Sequence, residues 1–127
     1  IDERSFIPRD GSGLSPNTRA SAGAVIKLFQ YVNGKSWRGV FWDALPESAI
    51  DGTLRNRFLN TELAGRVIAK TGTHDGASSL SGKIVRSDKG KKDLLFSIHV
   101  FNYATNTKAE LNVVPLIDDI VLKLTKL

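Results

Sequence analysis

The chain has 127 residues, 41% of them hydrophobic and 24% charged, which is typical of one globular domain. It contains no cysteine and two histidines, which excludes disulfides and thiolate metal sites, and we expect neither a catalytic zinc ion nor a cofactor. The net charge of +5 would suit a polyanionic partner, but the basic residues are scattered without aromatic interleaving, so we expect no nucleic-acid partner.

The start of the chain predicts a turn followed by a helix. Residues 10–15, "DGSGLS", have two glycines within six positions, which is typical of a tight turn. Ser21 can cap a helix whose apolar residues recur at helical spacing, and Asn33 with Gly34 can end it. The spaced apolar residues are Val25, Leu28, Phe29 and Val32.

The next stretch predicts short helices around a turn. A short apolar helix is expected to stop at Pro46, because proline removes a helical hydrogen bond. The Asp-Gly pair at 51–52 predicts a turn, and a short helical stretch is expected at 54–58. Arg55 and Arg57 are expected to help hold this turn in place.

The second half of the chain predicts a three-stranded antiparallel sheet and a closing helix. The sequence takes a period of two at 66–73, 79–86 and 94–103, and the last of these stretches is apolar on both faces. An apolar stripe from Leu111 to Leu124 predicts a helix at 115–126, packed across one face of the sheet. The fold class is therefore α+β, an antiparallel sheet with flanking helices.

The stretch "IAKTGTHDG", residues 68–76, ends the first of these strands with a cation, two hydroxyls and a glycine. One interpretation is a solvated strand end followed by an Asp-Gly turn. The other is a strand edge that binds a carboxylate. A bare K-T-G does not distinguish the two, because it occurs by chance in many proteins.

Three stretches together match a known family in the same order. They are "DGSGLS" at 10–15, "ALPESAIDGTLRNRF" at 44–58 and "GRVIAKTGT" at 65–73, followed by two strands and a helix. From about Asp10 onward the chain resembles the C-terminal part of the penicillin-binding D-alanyl-D-alanine carboxypeptidases, low-molecular-mass enzymes with carboxypeptidase and endopeptidase activity. The middle stretch is the most discriminating, because β-lactamases share the K-T-G but not that run.

This resemblance implies a β-lactamase/transpeptidase-like domain, of which residues 1–127 would be the C-terminal portion. It implies a serine-type hydrolase that acts through an acyl-enzyme on peptidoglycan peptides ending in D-Ala-D-Ala. β-Lactam antibiotics would be further ligands, and no cofactor would be needed. The location it implies is extracytoplasmic, in the periplasm or on the cell-wall side of the membrane.

The resemblance also assigns roles within the K-T-G strand. Lys70 would give the cleft a positive charge that favours the substrate carboxylate. Thr71 and Thr73 would donate hydroxyls to that carboxylate, and the N–H of Thr73 would be one of two oxyanion-hole donors. Gly72, without a Cβ, would let the substrate backbone lie close against the strand edge. Lys70 and Thr73 are thus the expected catalytic residues, and all four residues are expected to bind substrate.

The chain departs from the family pattern at the nucleophile. No serine is followed three positions later by lysine, so S-x-x-K is absent. Ser15-Pro16-Asn17 fits S-x-N, but in the family that element lies well upstream of "DGSGLS", so we interpret the match as a coincidence. The chain begins at Ile1 and contains no Met, which is typical of a piece of a longer polypeptide. We therefore expect it to be inactive alone, and to associate with the missing N-terminal portion or as a dimer.

A second function stays open from the sequence. A non-catalytic module that binds wall peptide or a partner protein needs only the residues present here. Within the site, we interpret His74 as a cleft-rim residue and His99 as a packed core histidine. Asp10, Ser12 and Ser15 are interpreted as a turn that shapes the cleft floor, with the serines bonding to local backbone groups.

Overall fold

The computed structural model describes residues 4–86, 90–103 and 113–126 of the chain. The elements in these ranges are β1 (Phe6–Ile7), β2 (Arg19–Ala20), α1 (Ala22–Asn33), α2 (Arg38–Asp43), a 3-10 turn (Gly52–Leu54), β3 (Val67–His74), β4 (Ala77–Ile84), β5 (Leu94–Phe101) and α3 (Val113–Leu124). The predicted α+β class is confirmed, and the predicted strands and closing helix are present close to their predicted ends. Leu111, the first residue of the predicted apolar stripe, lies outside the described residues.

Strands β3, β4 and β5 form an antiparallel sheet in that order, so neighbours in sequence are neighbours in space. Asp75 and Gly76 make the tight turn between β3 and β4. The φ angle of Gly76 is 62°, in the left-handed region that glycine adopts without strain. The Asp-Gly turn expected from the sequence is therefore present, and it fixes the register of the K-T-G strand.

One face of the sheet packs against α3. The buried side chains on this face and on the helix form one apolar cluster, which also takes in residues from the loops before β3. Its members are Leu54, Phe58, Leu63, Val67, Ala69, Leu80, Ile84, Phe96, Ile117 and Val121. The predicted packing of the closing helix across one face of the sheet is confirmed.

Helix α1 covers part of the opposite face, and α2 packs against α1. Ser21 caps α1 as predicted, since its Oγ accepts from the N–H of Ala24 at 3.1 Å. Phe29 of α1 packs against Trp42 of α2 with ring centroids 5.1 Å apart and ring planes tilted by 51°, and both side chains are buried. The indole of Trp42 donates to Asn33 at 2.9 Å, so the end of α1 is tied to α2.

The short helix predicted at 54–58 is wrong. The chain makes a 3-10 turn at Gly52–Leu54 and then leaves helical geometry, with a φ of 61° at Phe58. Arg57 is drawn into an ion pair with Asp118 of α3, and its Nε lies 3.1 and 3.2 Å from the two carboxylate oxygens. The carbonyl of Leu54, which an α-helix would pair with the N–H of Phe58, accepts instead from the N–H groups of Ala49 and Arg57, both at 3.0 Å. Contacts outside the segment thus override its local propensity. The other arginine, Arg55, is exposed.

The pairing of β1 with β2 was also missed. Phe6 lies opposite Ala20 and Ile7 opposite Arg19, so this ribbon brings the "DGSGLS" stretch back beside the start of α1. Strands of two residues carry no measurable periodicity, which is why the sequence indicated only turns here.

Ser48 is a buried hydrogen-bonding centre beside the start of β3. Its side chain is fully buried, and its hydroxyl donates to the carbonyl of Leu63 at 2.6 Å. The same oxygen accepts from the N–H groups of Val67 at 3.0 Å and Arg66 at 3.2 Å. One hydroxyl thus holds together the segment before β3 and the first residue of β3.

The Ser48→Ala variant is expected to lower the free energy of unfolding by about 3 kcal/mol, because it leaves buried backbone groups without a partner. Urea denaturation measures the change. Ser36→Ala, at an exposed position on the α1–α2 connection, is the matched control and should change the free energy little. Equal stabilities of the two variants would contradict the role given to Ser48.

Candidate active site

The segment after α2 supports the outer edge of β3. The N–H of Ser48 donates to Val67 O at 2.9 Å, and the N–H of Ala69 donates to Pro46 O at 3.0 Å. Gly52 lies against Pro46 so closely that a Cβ would come within 3.0 Å of its ring. The "ALPESAIDGTLRNRF" stretch therefore packs closely along the start of β3, so its turn at Gly52 helps to position this strand.

On the side away from β4, the K-T-G stretch pairs with no other strand within residues 4–86, 90–103 and 113–126, and we call this side the open edge of β3. In an antiparallel strand the N–H and C=O of one residue point to the same side, and successive residues alternate. The backbone groups of Val67 and Ala69 form their hydrogen bonds on the side away from β4, with Ser48 and Pro46. Thr71 and Thr73 follow in the same alternation, so the N–H of Thr73 also points away from β4. Residues 46–48 cover only the start of this edge, and Thr73 lies beyond them.

The side chains of Lys70 and Thr71 point to opposite faces of β3. Lys70 is exposed, and its Nζ donates to the carbonyl oxygen of Thr71 at 2.6 Å. Thr71 is half-buried, and its Oγ1 donates to Oγ1 of Thr53 at 3.0 Å. Thr53 comes from the "DGTL" part of the middle stretch, so two of the three family stretches meet at this contact.

An open groove of about 820 Å³ runs beside the end of β3. One wall is the N-terminal segment that includes Ser15 and Arg19, and the other is the β3–β4 hairpin. Gly72 and Thr73 line the groove, whereas Lys70 and Thr71 lie next to it on the strand and are not part of its lining. The structure thus brings two of the four predicted site residues into the groove wall and places the other two at its border.

Gly72 leaves space in the groove wall that a neighbouring side chain uses. A Cβ on this residue would lie 2.4 Å from Oγ of Ser79, its partner on β4. The Ser79 hydroxyl would have to rotate away to admit a larger residue at position 72.

The two histidines both line the groove but differ in their surroundings. His74 is exposed at the end of β3, as expected for a cleft-rim residue. His99 is half-buried on β5 and contacts the hydroxyl of Ser97 at 3.1 Å through Nε2, so it is not the fully packed core histidine we expected. Burial lowers the pKa of His99, because the charged imidazolium is poorly solvated there.

The "DGSGLS" stretch forms a turn at the other wall. Oγ of Ser12 accepts from the N–H of Leu14 at 3.0 Å, and Oγ of Ser15 accepts from the N–H of Asn17 at 3.3 Å. Both serines bond to local backbone, as predicted, and the second bond gives Ser15-Pro16-Asn17 a turn geometry. Gly13, with a φ of 76°, supplies the left-handed residue of the turn.

Two further features concern ligands and membranes. The described ranges hold no group of three or more His, Cys, Asp or Glu side chains placed to share a metal ion. Within the same ranges, none of the helices combines the length and apolar character that crossing a bilayer requires.

K-T-G is one of the motifs of penicillin-binding proteins and class A β-lactamases, and in this structure it lies on β3 at the edge of the described sheet. The sequence profile of the D-Ala-D-Ala carboxypeptidase 3 (S13) family matches residues 1–123, so the chain belongs to that family. The resemblance inferred from the three stretches is thereby confirmed.

Individual relatives agree with this assignment. The chain is similar to the penicillin-sensitive carboxypeptidase A of Dictyostelium discoideum, at 37% identity over 92% of this chain and 23% of that protein. It is similar to a D-alanyl-D-alanine carboxypeptidase of Actinomadura sp., at 35% identity over 66% of this chain and 16% of that protein. The chain thus spans less than a quarter of the length of these relatives.

The fold is similar to that of penicillin-binding protein 4 (dacB) from Haemophilus influenzae. The TM-score is 0.78 over 94% of this chain and 27% of that chain. The sequence identity is 23%, so this likeness supports the α+β fold and no more.

Sequence reasoning missed several polar residues around the site. Ser48 and Ser79 were not singled out, and neither was the hydroxyl of Ser97 beside His99. A serine within an alternating strand pattern gives no signal of its own, because it is acceptable on either face. The register of the three strands reveals which serines meet.

Proposed function

We propose that this chain supplies the substrate-binding edge of a serine D-Ala-D-Ala carboxypeptidase or endopeptidase that acts on peptidoglycan peptides. The observation that carries the proposal is the K-T-G stretch on the open edge of β3, beside a groove that Gly72 and Thr73 line. Membership of the carboxypeptidase family supports the same reaction class. Residues 1–127 are, in this proposal, the C-terminal portion of one penicillin-binding domain.

Each residue of the stretch has a role that its position allows. Lys70 provides positive charge at the border of the groove, where it attracts the terminal carboxylate of the substrate. The exposed hydroxyl of Thr73 is a donor for that carboxylate. The hydroxyl of Thr71, which was expected to be a second donor, donates to Oγ1 of Thr53 in this structure and so ties the strand to the "DGTL" turn. The N–H of Thr73 faces the edge where a scissile carbonyl would lie, so it can stabilise the oxyanion formed when that carbonyl is attacked.

The remaining partners follow from the same proposal. The nucleophile and its lysine belong to a segment with S-x-x-K, which the 127 residues do not contain. Exposed apolar side chains such as Val40 at 75% and Phe101 at 62% would be covered by that segment or by a second copy of the chain. β-Lactams are the expected inhibitors, and the substrate places the protein outside the cytoplasm.

The isolated chain is expected to form no covalent adduct with penicillin, because none of its serines is in an S-x-x-K sequence. Joined to an S-x-x-K segment of the same family, it should form an adduct of one penicillin per chain. Mass spectrometry of the intact protein after incubation measures both results.

An adduct on a serine of the isolated chain would contradict the assignment of the nucleophile to another segment. If the joined protein forms no adduct but still binds a peptide ending in D-Ala-D-Ala, the non-catalytic wall-peptide module is the correct function instead.

A further inference from the structure

A row of hydrogen-bonded side chains crosses the sheet on the face that α1 partly covers. Oγ of Ser81 on β4 lies 2.8 Å from Oγ of Ser97 on β5. Oγ of Ser97 lies in turn 3.1 Å from Nε2 of His99, two residues along the same strand. Because Ser81 is buried and the imidazole is held by Ser97, the ring of His99 has a defined position in the groove wall.

Ser79 stands between this imidazole and the K-T-G strand. The register places it opposite Gly72 on one side and opposite His99 on the other. Like both of them it lines the groove. Its hydroxyl occupies the space above Gly72 that a Cβ would fill, and it makes no side-chain hydrogen bond within residues 4–86, 90–103 and 113–126.

The charge state of His99 determines which kind of chemical group can bind beside it in the groove. Burial lowers the pKa of this residue, which favours the neutral imidazole over the charged form. A neutral imidazole offers one donor and one acceptor. Nε2 is engaged by Ser97, and Nδ1 has no hydrogen-bond partner among the described residues, so it can serve a ligand. A serine hydroxyl can donate and accept. Such a pair suits an uncharged group with one N–H and one C=O, not an anion.

We propose that Ser79 and His99 form a subsite that binds a backbone amide of the peptide substrate, upstream of its two D-Ala residues. The inference rests on the proposed function, since the subsite takes another part of the same substrate. Lys70 and the open edge of β3 take the terminal carboxylate. The groove continues from Gly72 to Ser79 and His99, so a longer peptide reaches both places at once.

The test uses the chain joined to an S-x-x-K segment and two substrates. One is an acetylated D-Ala-D-Ala dipeptide, and the other is a peptide with three further residues before the same dipeptide. In the Ser79→Ala and His99→Phe variants, the ratio of kcat/KM for the long substrate to that for the short one should fall about tenfold, as expected for one lost hydrogen bond. His99→Asn retains a donor and an acceptor and should recover part of the ratio.

Ser36→Ala, exposed and outside the groove lining, is the matched control and should leave the ratio unchanged. Ser79→Ala removes an oxygen that makes no side-chain hydrogen bond to the described part of the chain, so it should keep the fold and carry the test even where His99→Phe does not fold. An unchanged ratio in Ser79→Ala would overturn the subsite. Failure of the unmodified protein to hydrolyse either substrate would instead overturn the proposed function.

Discussion

The Lys70→Ala variant is expected to slow acylation by labelled penicillin by about 100- to 1,000-fold in a protein that joins this chain to an S-x-x-K segment. Lys70 is exposed at the border of the groove, and in the described structure its ammonium bonds to the adjacent Thr71 carbonyl. Its loss therefore removes positive charge from the site without opening the core. The rate of labelling under single-turnover conditions measures the effect, and thermal unfolding should be unchanged.

Two matched variants make this result specific. Lys27→Ala removes a lysine that is exposed on α1, outside the groove lining, and should label at the normal rate. Lys70→Arg keeps the positive charge but replaces the compact ammonium with a planar guanidinium, so labelling should fall less than in Lys70→Ala. Normal labelling of Lys70→Ala would show that this K-T-G is only a solvated strand end.

The Thr73→Pro variant is expected to reduce penicillin acylation by a similar factor, about 100- to 1,000-fold, because it removes one oxyanion donor. Proline lacks the backbone N–H, and at this position that N–H faces the open edge of β3 and not the ladder with β4. A strand edge is where proline is tolerated, so the sheet should persist with a small loss of stability. Circular dichroism checks the sheet, and the labelling rate checks the donor.

Thr73→Val separates the backbone donor from the side chain. It keeps the N–H and the β-branched shape but removes the hydroxyl, so it should acylate much faster than Thr73→Pro. Equal rates in the two variants would mean that the hydroxyl matters and the N–H does not. A normal rate in Thr73→Pro would remove Thr73 from the oxyanion hole.

The sequence by itself determined the class of fold and the family. Alternation at 66–73, 79–86 and 94–103 predicts strands because successive side chains in a strand point to opposite faces. The apolar stripe before Leu124 predicts the closing helix because side chains three and four positions apart lie on one face of a helix. The three ordered stretches were enough for the family, because a combination of motifs is far rarer than K-T-G alone.

Only the tertiary structure decided how the site is assembled. The contacts of Arg57 with Asp118, of Ser48 with Leu63 and of Thr71 with Thr53 join residues that are distant in the chain. Local propensity carries no information about such partners, so the helix expected at 54–58 gave way to a turn.

Only the tertiary structure decided the inner wall of the groove as well. Ser79 meets both Gly72 and His99 because the register of three strands aligns them, and a shift by one residue would send every side chain to the other face. His99 was expected in the core, because the pattern of β5 is apolar on both faces. Its place in the groove depends on how far α1 covers the sheet, which packing decides and periodicity does not.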